Sequence, residues 1–286
     1  MIERITIVGT GLLGTSAGLA LRAAGFKGEI LGCNRGLEQL ATAAKMGAVT
    51  PAKSVEEAAA ASDVTVLAGP VLSILDWMER LVPVLKEGQL LTDVGSTKTE
   101  ITAAGERLYN KTGRATFLPG HPMAGKEVSG AVNAEATLFD GAVWLFTPAH
   151  EIANEVAAEW REWVHRFGCR TLDLDAARHD EIVAWVSHMP QFLSTALSAL
   201  LQQHFGDAED MRAIGGRALR EMTRLGSSPY SMWRDIAHTN TDAVAKAIHG
   251  LEQELTHLRE NLTTPELRTM FEEANQFRIP RPAEKK

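Results

Sequence analysis

Arg4-Ile5-Thr6-Ile7-Val8-Gly9-Thr10-Gly11-Leu12-Leu13-Gly14 is the stretch that decides the fold. A short apolar run ends in glycines, and a helical pattern over residues 12–24 follows at once and stops at Gly25. In a strand, glycine turn and helix of this kind, the first glycine allows a tight turn. The second lets the backbone approach a pyrophosphate, and the third lets the helix pack on the strand with its N-terminus facing the phosphates. Glycine-rich turns are common, and a plain strand–turn–helix is the bland alternative. The position at the extreme N-terminus, between strand and helix, makes dinucleotide binding the stronger reading. Gly9, Gly11, Leu12, Leu13 and Gly14 are therefore candidate cofactor contacts.

Outward from this stretch the first half alternates. Glu29–Cys33, Val64–Leu67, residues 90–94 and Thr116–Leu118 read as strands, and residues 37–46, 55–61 and 72–85 as helices. That alternation predicts a doubly wound parallel sheet covered on both faces. Residues 142–146 and 169–174 are expected to add strands at its far edge, around a helix over 151–167. The character changes near Ala176. Ile182, Val186, Met189, Leu193, Ala196, Leu197 and Leu200 recur at helical spacing, and helical patterns follow over 208–225, 232–262 and 265–277. The prediction is an α/β chain: a Rossmann-type dinucleotide-binding domain over 1–175, then an all-helical substrate and dimerisation domain over 176–286. His179 is read as starting the long helix, Pro190 as kinking it, and the polar tail 281–286 as loose.

The net charge of −7 argues against a nucleic-acid surface and suits a small-molecule enzyme. Two cysteines, Cys33 and Cys169, make a disulfide framework an unattractive reading and a reducing compartment the simpler one. The chain shows no basic region followed by an apolar one at its start, so a cytoplasmic protein is expected. Residues 182–206 contain no Asp, Glu, Lys or Arg, yet Ser, Thr, His and Gln are scattered through them. That pattern fits a helix buried in a helical domain and across a two-fold interface better than a membrane span. A homodimer without membrane or nucleic-acid partners is expected.

A dinucleotide site for NAD usually carries an acidic residue about 20 residues past the glycines, on the ribose hydroxyls. Asn34-Arg35 stands there instead. No carboxylate repels a 2′-phosphate, and Arg35 can pair with one through two hydrogen bonds. NADP is therefore preferred to NAD, with an exposed Arg35 and NAD binding as the alternative. Ligands of open α/β sheets bind beyond the carboxyl ends of the strands. Pro70 and Thr97 stand after two such strands and join the candidate cofactor contacts.

Two strings at strand ends carry the chemistry: Asp93-Val94-Gly95-Ser96-Thr97-Lys98, and His121-Pro122-Met123-Ala124-Gly125-Lys126-Glu127-Val128-Ser129-Gly130. A histidine fixed beside glycine and proline, in a chain that opens with a nicotinamide-cofactor motif, suggests a proton acceptor paired with a hydride acceptor. With these strings stand His179-Asp180, Ser187-His188-Met189-Pro190, Thr223-Arg224 and Trp233-Arg234-Asp235-Ile236. No histidines show metal-ligand spacing, and no metal is expected.

In the order and spacing of these motifs the chain resembles the prephenate and arogenate dehydrogenases of tyrosine biosynthesis, over nearly its whole length. The resemblance implies oxidative decarboxylation: hydride leaves C4 of a cyclohexadienol for the nicotinamide, carbon dioxide leaves C1, and the ring becomes aromatic. It implies His121 as acceptor of the hydroxyl proton, Ser96 as a hydrogen-bonding neighbour of that hydroxyl, and Arg224 as the fork for the ring carboxylate. Glu127 and His188 join the substrate surroundings, although a surface charge and a satisfied core histidine are their bland readings. Trp233 reads as packing. The chain departs from the family at Gln191, where many members carry histidine, and at Glu221, where some carry Asp. Gln191 is expected near the substrate side chain, so the departures bear on the choice between prephenate and arogenate. A 3-hydroxyacid dehydrogenase or pyrroline carboxylate reductase shares the architecture, and a non-catalytic NADP-sensing protein shares the fold. Ser96, His121 and Arg224 together favour the cyclohexadienol substrate.

Overall fold

The computed structural model describes residues 1–277, so the tail 281–286 lies outside the described residues. Six parallel strands are β1 (Arg4–Val8), β2 (Glu29–Cys33), β3 (Thr50–Pro51), β4 (Val64–Leu67), β5 (Leu90–Asp93) and β6 (Thr116–Leu118), ordered β3-β2-β1-β4-β5-β6. Helices α1 (Leu12–Ala23), α2 (Leu37–Lys45), α3 (Val55–Ala60), α4 (Val71–Leu81) and α5 (Thr99–Gly105) supply the connections, the last continuing as a π-helical turn, Glu106–Asn110. β4 and β5 are buried along their whole length, as expected of parallel strands covered on both faces. The order reverses between β1 and β4, which opens a crevice beyond their carboxyl ends.

The far-edge expectation for residues 142–146 and 169–174 is overturned. Pro119 follows β6, cannot donate to a ladder, and turns the chain out of the first sheet. β7 (Gly120–Pro122), β8 (Val143–Phe146) and β9 (Arg170–Asp173) form a separate sheet, with β7 antiparallel and β9 parallel to β8. Helix α6 (Glu155–Arg166) links β8 to β9. Fully buried aromatics anchor this unit: Trp144 meets Trp160 edge-on at 6.4 Å and Phe139 at 5.4 Å. His121 thus sits on β7, opposite Leu145, where the chain passes from one sheet to the other.

Beyond β9 the described residues are helical. Asp175 caps α7 (Ala176–Val183), accepting from the Arg178 N–H at 2.9 Å. A π-helical turn, Ala184–His188, then leads into α8 (Met189–Phe205). The distortion expected around Pro190 takes that form, since proline in the first turn leaves a carbonyl one turn back without its donor. His179 lies inside α7 rather than at the start of the long helix. The single helix expected over 208–225 is two, α9 (Glu209–Ile214) and α10 (Arg217–Thr223), split by Gly215-Gly216 and followed by a 3₁₀ turn, Arg224–Ser227. The one expected over 232–262 breaks into α11 (Tyr230–Thr239) and α12 (Thr241–Glu260) at Asn240, whose amide donates to the Asp180 carbonyl at 2.9 Å. α13 (Glu266–Phe277) closes the described chain. No described helix is long and apolar enough to cross a membrane.

The helices dock on the strand ends through polar contacts. Asp235 on α11 accepts from the Leu72 N–H at 3.3 Å, and the hydroxyls of Thr239 and Thr97 lie 2.7 Å apart.

Candidate active site

The crevice between β1 and β4 opens into a cavity of about 390 Å³. Gly9 turns there with φ of 102°, and a Cβ on it would meet the Ala68 carbonyl at 2.4 Å. A Cβ on Gly14 would strike the Gly9 carbonyl at 2.0 Å, so helix and turn touch only because both are glycine. Gly11 faces open space and starts α1 with no side chain capping it and no acidic residue in its first turn. The helix end is left free for an anion, and these features fit a dinucleotide pyrophosphate.

Of the candidate cofactor residues, Gly9, Gly11, Asn34, Arg35 and Pro70 line this cavity. Leu12, Leu13 and Gly14 shape the turn behind it. Thr97 does not line it: its hydroxyl is buried against Thr239, an arrangement that pairs two distant halves and leaves no trace in local sequence. Asn34 donates to the Gly36 carbonyl at 3.1 Å and shapes the loop, whereas Arg35 is exposed with no partner among the described residues. Sequence reading missed Lys53, Gln39 and Trp77 on the cavity wall, while Ser129 and Gly130, at the end of the His121 string, also line it. Lys53 follows β3, a two-residue strand that periodicity cannot detect. The cavity wall carries two cations, Arg35 and Lys53, and no carboxylate.

His121 is nearly buried, and its Nδ1 lies 2.8 Å from Nε2 of His179. Nδ1 of His179 lies 2.8 Å from Oδ1 of Asp180. The Asp180 carboxylate also accepts the N–H groups of Lys98 at 2.7 Å and Thr99 at 2.8 Å. Burial alone raises a carboxyl's pKa, but the hydrogen bonds from His179, Thr99 and Lys98 hold Asp180 below its usual value. An ionised Asp180 fixes the tautomers by the hydrogen-bond pattern. His179 donates from Nδ1 and accepts at Nε2, so His121 donates from Nδ1 and keeps its lone pair on Nε2. Burial first, then the His179, Lys98 and His188 charges, push the His121 pKa well below the ordinary value. The sequence marked His179-Asp180 as a motif without showing what it serves.

The remaining candidates spread around this chain. Ser96 is half-buried on the turn before Thr97, its hydroxyl without a partner among the described residues. His188 is buried, with Nδ1 3.4 Å from the Asn240 amide and its ring edge-on to Trp233 at 5.9 Å. Burial drives its pKa down to about 4. Arg224 pairs with Glu127, which joins the loop after His121 to the turn after α10. The Gln191 amide is occupied: it donates to the Leu225 carbonyl at 2.7 Å and accepts from Ser228 at 3.0 Å, so it braces the turn that carries Arg224.

A parallel sheet with a glycine-rich nucleotide crevice, a buried histidine chain beyond its strand ends and a helical half docked on those ends are the build of a nicotinamide-dependent dehydrogenase. Residues 17–172 match the family described as prephenate dehydrogenase, nucleotide-binding domain, and residues 175–275 match prephenate dehydrogenase, dimerization domain. The chain belongs to the prephenate dehydrogenase family. It is 28% identical to the prephenate dehydrogenase of Lactococcus lactis subsp. cremoris, over 97% of this chain and 77% of that protein. The crystal structure of prephenate dehydrogenase from A. aeolicus, in complex with hydroxyphenyl propionate and NAD+, superimposes with a TM-score of 0.84 at 29% identity, covering 97% of this chain and 95% of that one. Synechocystis arogenate dehydrogenase superimposes with a TM-score of 0.77 at 28% identity, covering 96% and 98%.

Both His121 and His188 are held neutral, so the unfolded chain takes up protons first as pH falls through the ordinary histidine value near 6.5. Stability is therefore expected to fall as pH drops below 6.5, by up to about 1.4 kcal/mol per pH unit for His188 until its own value of about 4 is reached, with His121 adding to the fall in the same direction. Urea denaturation at pH 7.5, 6.0 and 5.0 checks this, and a flat or rising stability over that window contradicts it.

Proposed function

We propose that the protein catalyses oxidative decarboxylation of prephenate or arogenate, giving 4-hydroxyphenylpyruvate or tyrosine, and that it prefers NADP to NAD. The observation that carries the reading is the buried chain His121–His179–Asp180, which leaves Nε2 of His121 as the unoccupied acceptor. When bound, the nicotinamide supplies the hydride acceptor. His121 takes the substrate hydroxyl proton, and being neutral at working pH it is ready to do so. The positive charge this creates is met by a lone pair on His179 and, behind it, the Asp180 carboxylate. Ser96 holds the hydroxyl in place. Arg224 receives the ring carboxylate, because its pairing with Glu127 is solvent-exposed and worth about 0–1 kcal/mol, so a ligand carboxylate can replace it. Gln191 acts through the turn it braces, and His188 lines the same interior. Arg35 and Lys53, on a wall without carboxylates, favour a 2′-phosphate.

The unit in solution is a homodimer on this reading. Leu200, Ile214, Tyr230 and Phe271 are 62%, 83%, 77% and 62% exposed in the single chain, which is unusual for helices that must stand in water. The family description of this half as a dimerization domain supports the same conclusion. Light scattering at micromolar concentration is expected to give twice the chain mass, and a monomer rejects the dimer.

A steady-state assay pairing prephenate or arogenate with NAD or NADP tests the function directly, and turnover with neither substrate ends it. His121→Asn is expected to lower turnover by ~10²–10⁴ with cofactor affinity intact. Near-normal turnover in that variant removes His121 from the chemistry. Asn34→Asp places a carboxylate beside the ribose and is expected to move the ratio of NADP to NAD affinity towards NAD. An unchanged ratio shows that residue 34 does not face the ribose.

A further inference from the structure

The segment between β5 and α5 grips His121 twice, and one residue takes part in both grips. The first grip is on the backbone. Asp93 and Lys98 are fully buried and ion-paired. Asp93 accepts the N–H of Gly95 at 2.7 Å and that of Gly120 at 3.1 Å, and the Lys98 ammonium donates to the Gly120 carbonyl at 2.8 Å. That carbonyl belongs to the peptide bond that enters His121, so the pair holds both polar groups of the residue just before the base. There is no slack at this point: a Cβ on Gly120 would stand 2.8 Å from the Asp93 carbonyl and from the Trp144 indole nitrogen. The second grip is on the ring, and it runs from the Lys98 N–H to Asp180, from there to His179, and so to His121.

We propose that Lys98 is a positioning residue for His121, its ammonium fixing the peptide before the base, and that Asp93 is the counter-charge that keeps it there. A buried ion pair is a poor device for stability, because desolvation cancels most of the attraction and apolar replacements of similar size are often neutral or better. Its place against Gly120 is explained by what it holds. The proposal rests on His121 being the proton acceptor, and the test separates the two.

Around the His121 ring the titratable groups are His179 and, behind it, Asp180 on α7, Lys98 and Asp93 on the 93–98 segment, and His188 on the π turn. The paired strand β8 brings none. Lys98 is among the groups that press the imidazole towards its neutral form, and removing it relieves that pressure.

The experiment compares the full-length protein with the double variant Asp93→Asn/Lys98→Met, which removes both charges at similar volume, and with Lys98→Met alone. Thermal melting and cofactor affinity by tryptophan fluorescence establish that the double variant folds and binds, with affinity within about threefold of the parent. Displacing a general base by about an ångström costs on the order of 10²-fold. So kcat is expected to fall by that order while KM moves by less than about fivefold, and the acid limb of the kcat profile is expected to shift to higher pH. Nitrogen-15 histidine NMR, which needs no turnover, is expected to show the His121 titration shifted upward by the same substitution. Unchanged kcat with an unchanged titration overturns the proposal. So does a failure of both variants to fold, which makes the pair structural. If the parent protein turns over neither prephenate nor arogenate, the function fails while the NMR arm still decides whether Lys98 governs His121.

Discussion

The carboxylate of Asp180, seated on the N-terminus of α5, is the contact on which the rest of the site depends. Helix α5 begins at Lys98-Thr99 with no side chain of its own to cap it. Asp180 supplies the cap from α7, accepting both N–H groups. A carboxylate at a helix N-terminus is favoured by the free N–H groups and by the helix dipole. Here the cap joins the two halves of the chain beside the Asp235–Leu72 and Thr239–Thr97 contacts, and the same group orients His179. Asn240 reinforces the arrangement by breaking the long C-terminal helix and donating to the Asp180 carbonyl. The helix break and the base are thus consequences of the same junction.

From that junction the site divides by dielectric environment. The proton side is buried: His121, His179, Asp180, Lys98 and Asp93 are almost entirely removed from water. Charges and hydrogen bonds there act at full strength and tolerate little displacement. The nucleotide side is open, with exposed Arg35 and Lys53 on the cavity wall. Screened charges on flexible side chains suit a ligand that must enter and leave, while fixed dipoles suit a base that must not move.

How much of this could be read from the chain follows the range of the interactions. The glycine turn is local, and the strand, helix and crevice stand where Gly9, Gly11 and Gly14 place them. β1, β2, β4 and β6 are legible because each is a short, mostly buried apolar run set between helical patterns. The second sheet was not legible, because strand patterns name strands and not partners, and only the position of Pro119 marks the departure. The partner of the Thr97 hydroxyl is not legible for a similar reason: a hydroxyl after a strand suits a ligand equally well as it suits Thr239, 142 residues away. His179 looked like a helix start because its two ring partners are Asp180, its neighbour, and His121, 58 positions earlier. The helix face of Gln191 is legible, but the partners of its amide, in the turn that follows α10, are not.

The loop after β7 shows how one stretch of chain can serve both environments. It leaves β7 just after His121 of the buried network, and at Glu127 it reaches Arg224 on the helical half. It is stiffened internally by Asn133, whose amide donates to the Ser129 carbonyl at 2.7 Å. Ser129 and Gly130 then form part of the nucleotide cavity wall, and the Ala131 N–H donates to Gln39 on α2 at 2.6 Å. Gly130 has φ of 95° and lies within 3.2 Å, measured from an ideal Cβ, of the Gln39 side chain, so only glycine lets the loop settle there. His121, the Glu127–Arg224 pair and the nucleotide wall are therefore spaced by a single braced segment. Its two ends are fixed by different physics: hydrogen bonds in a dry interior at one, and close backbone packing at the other.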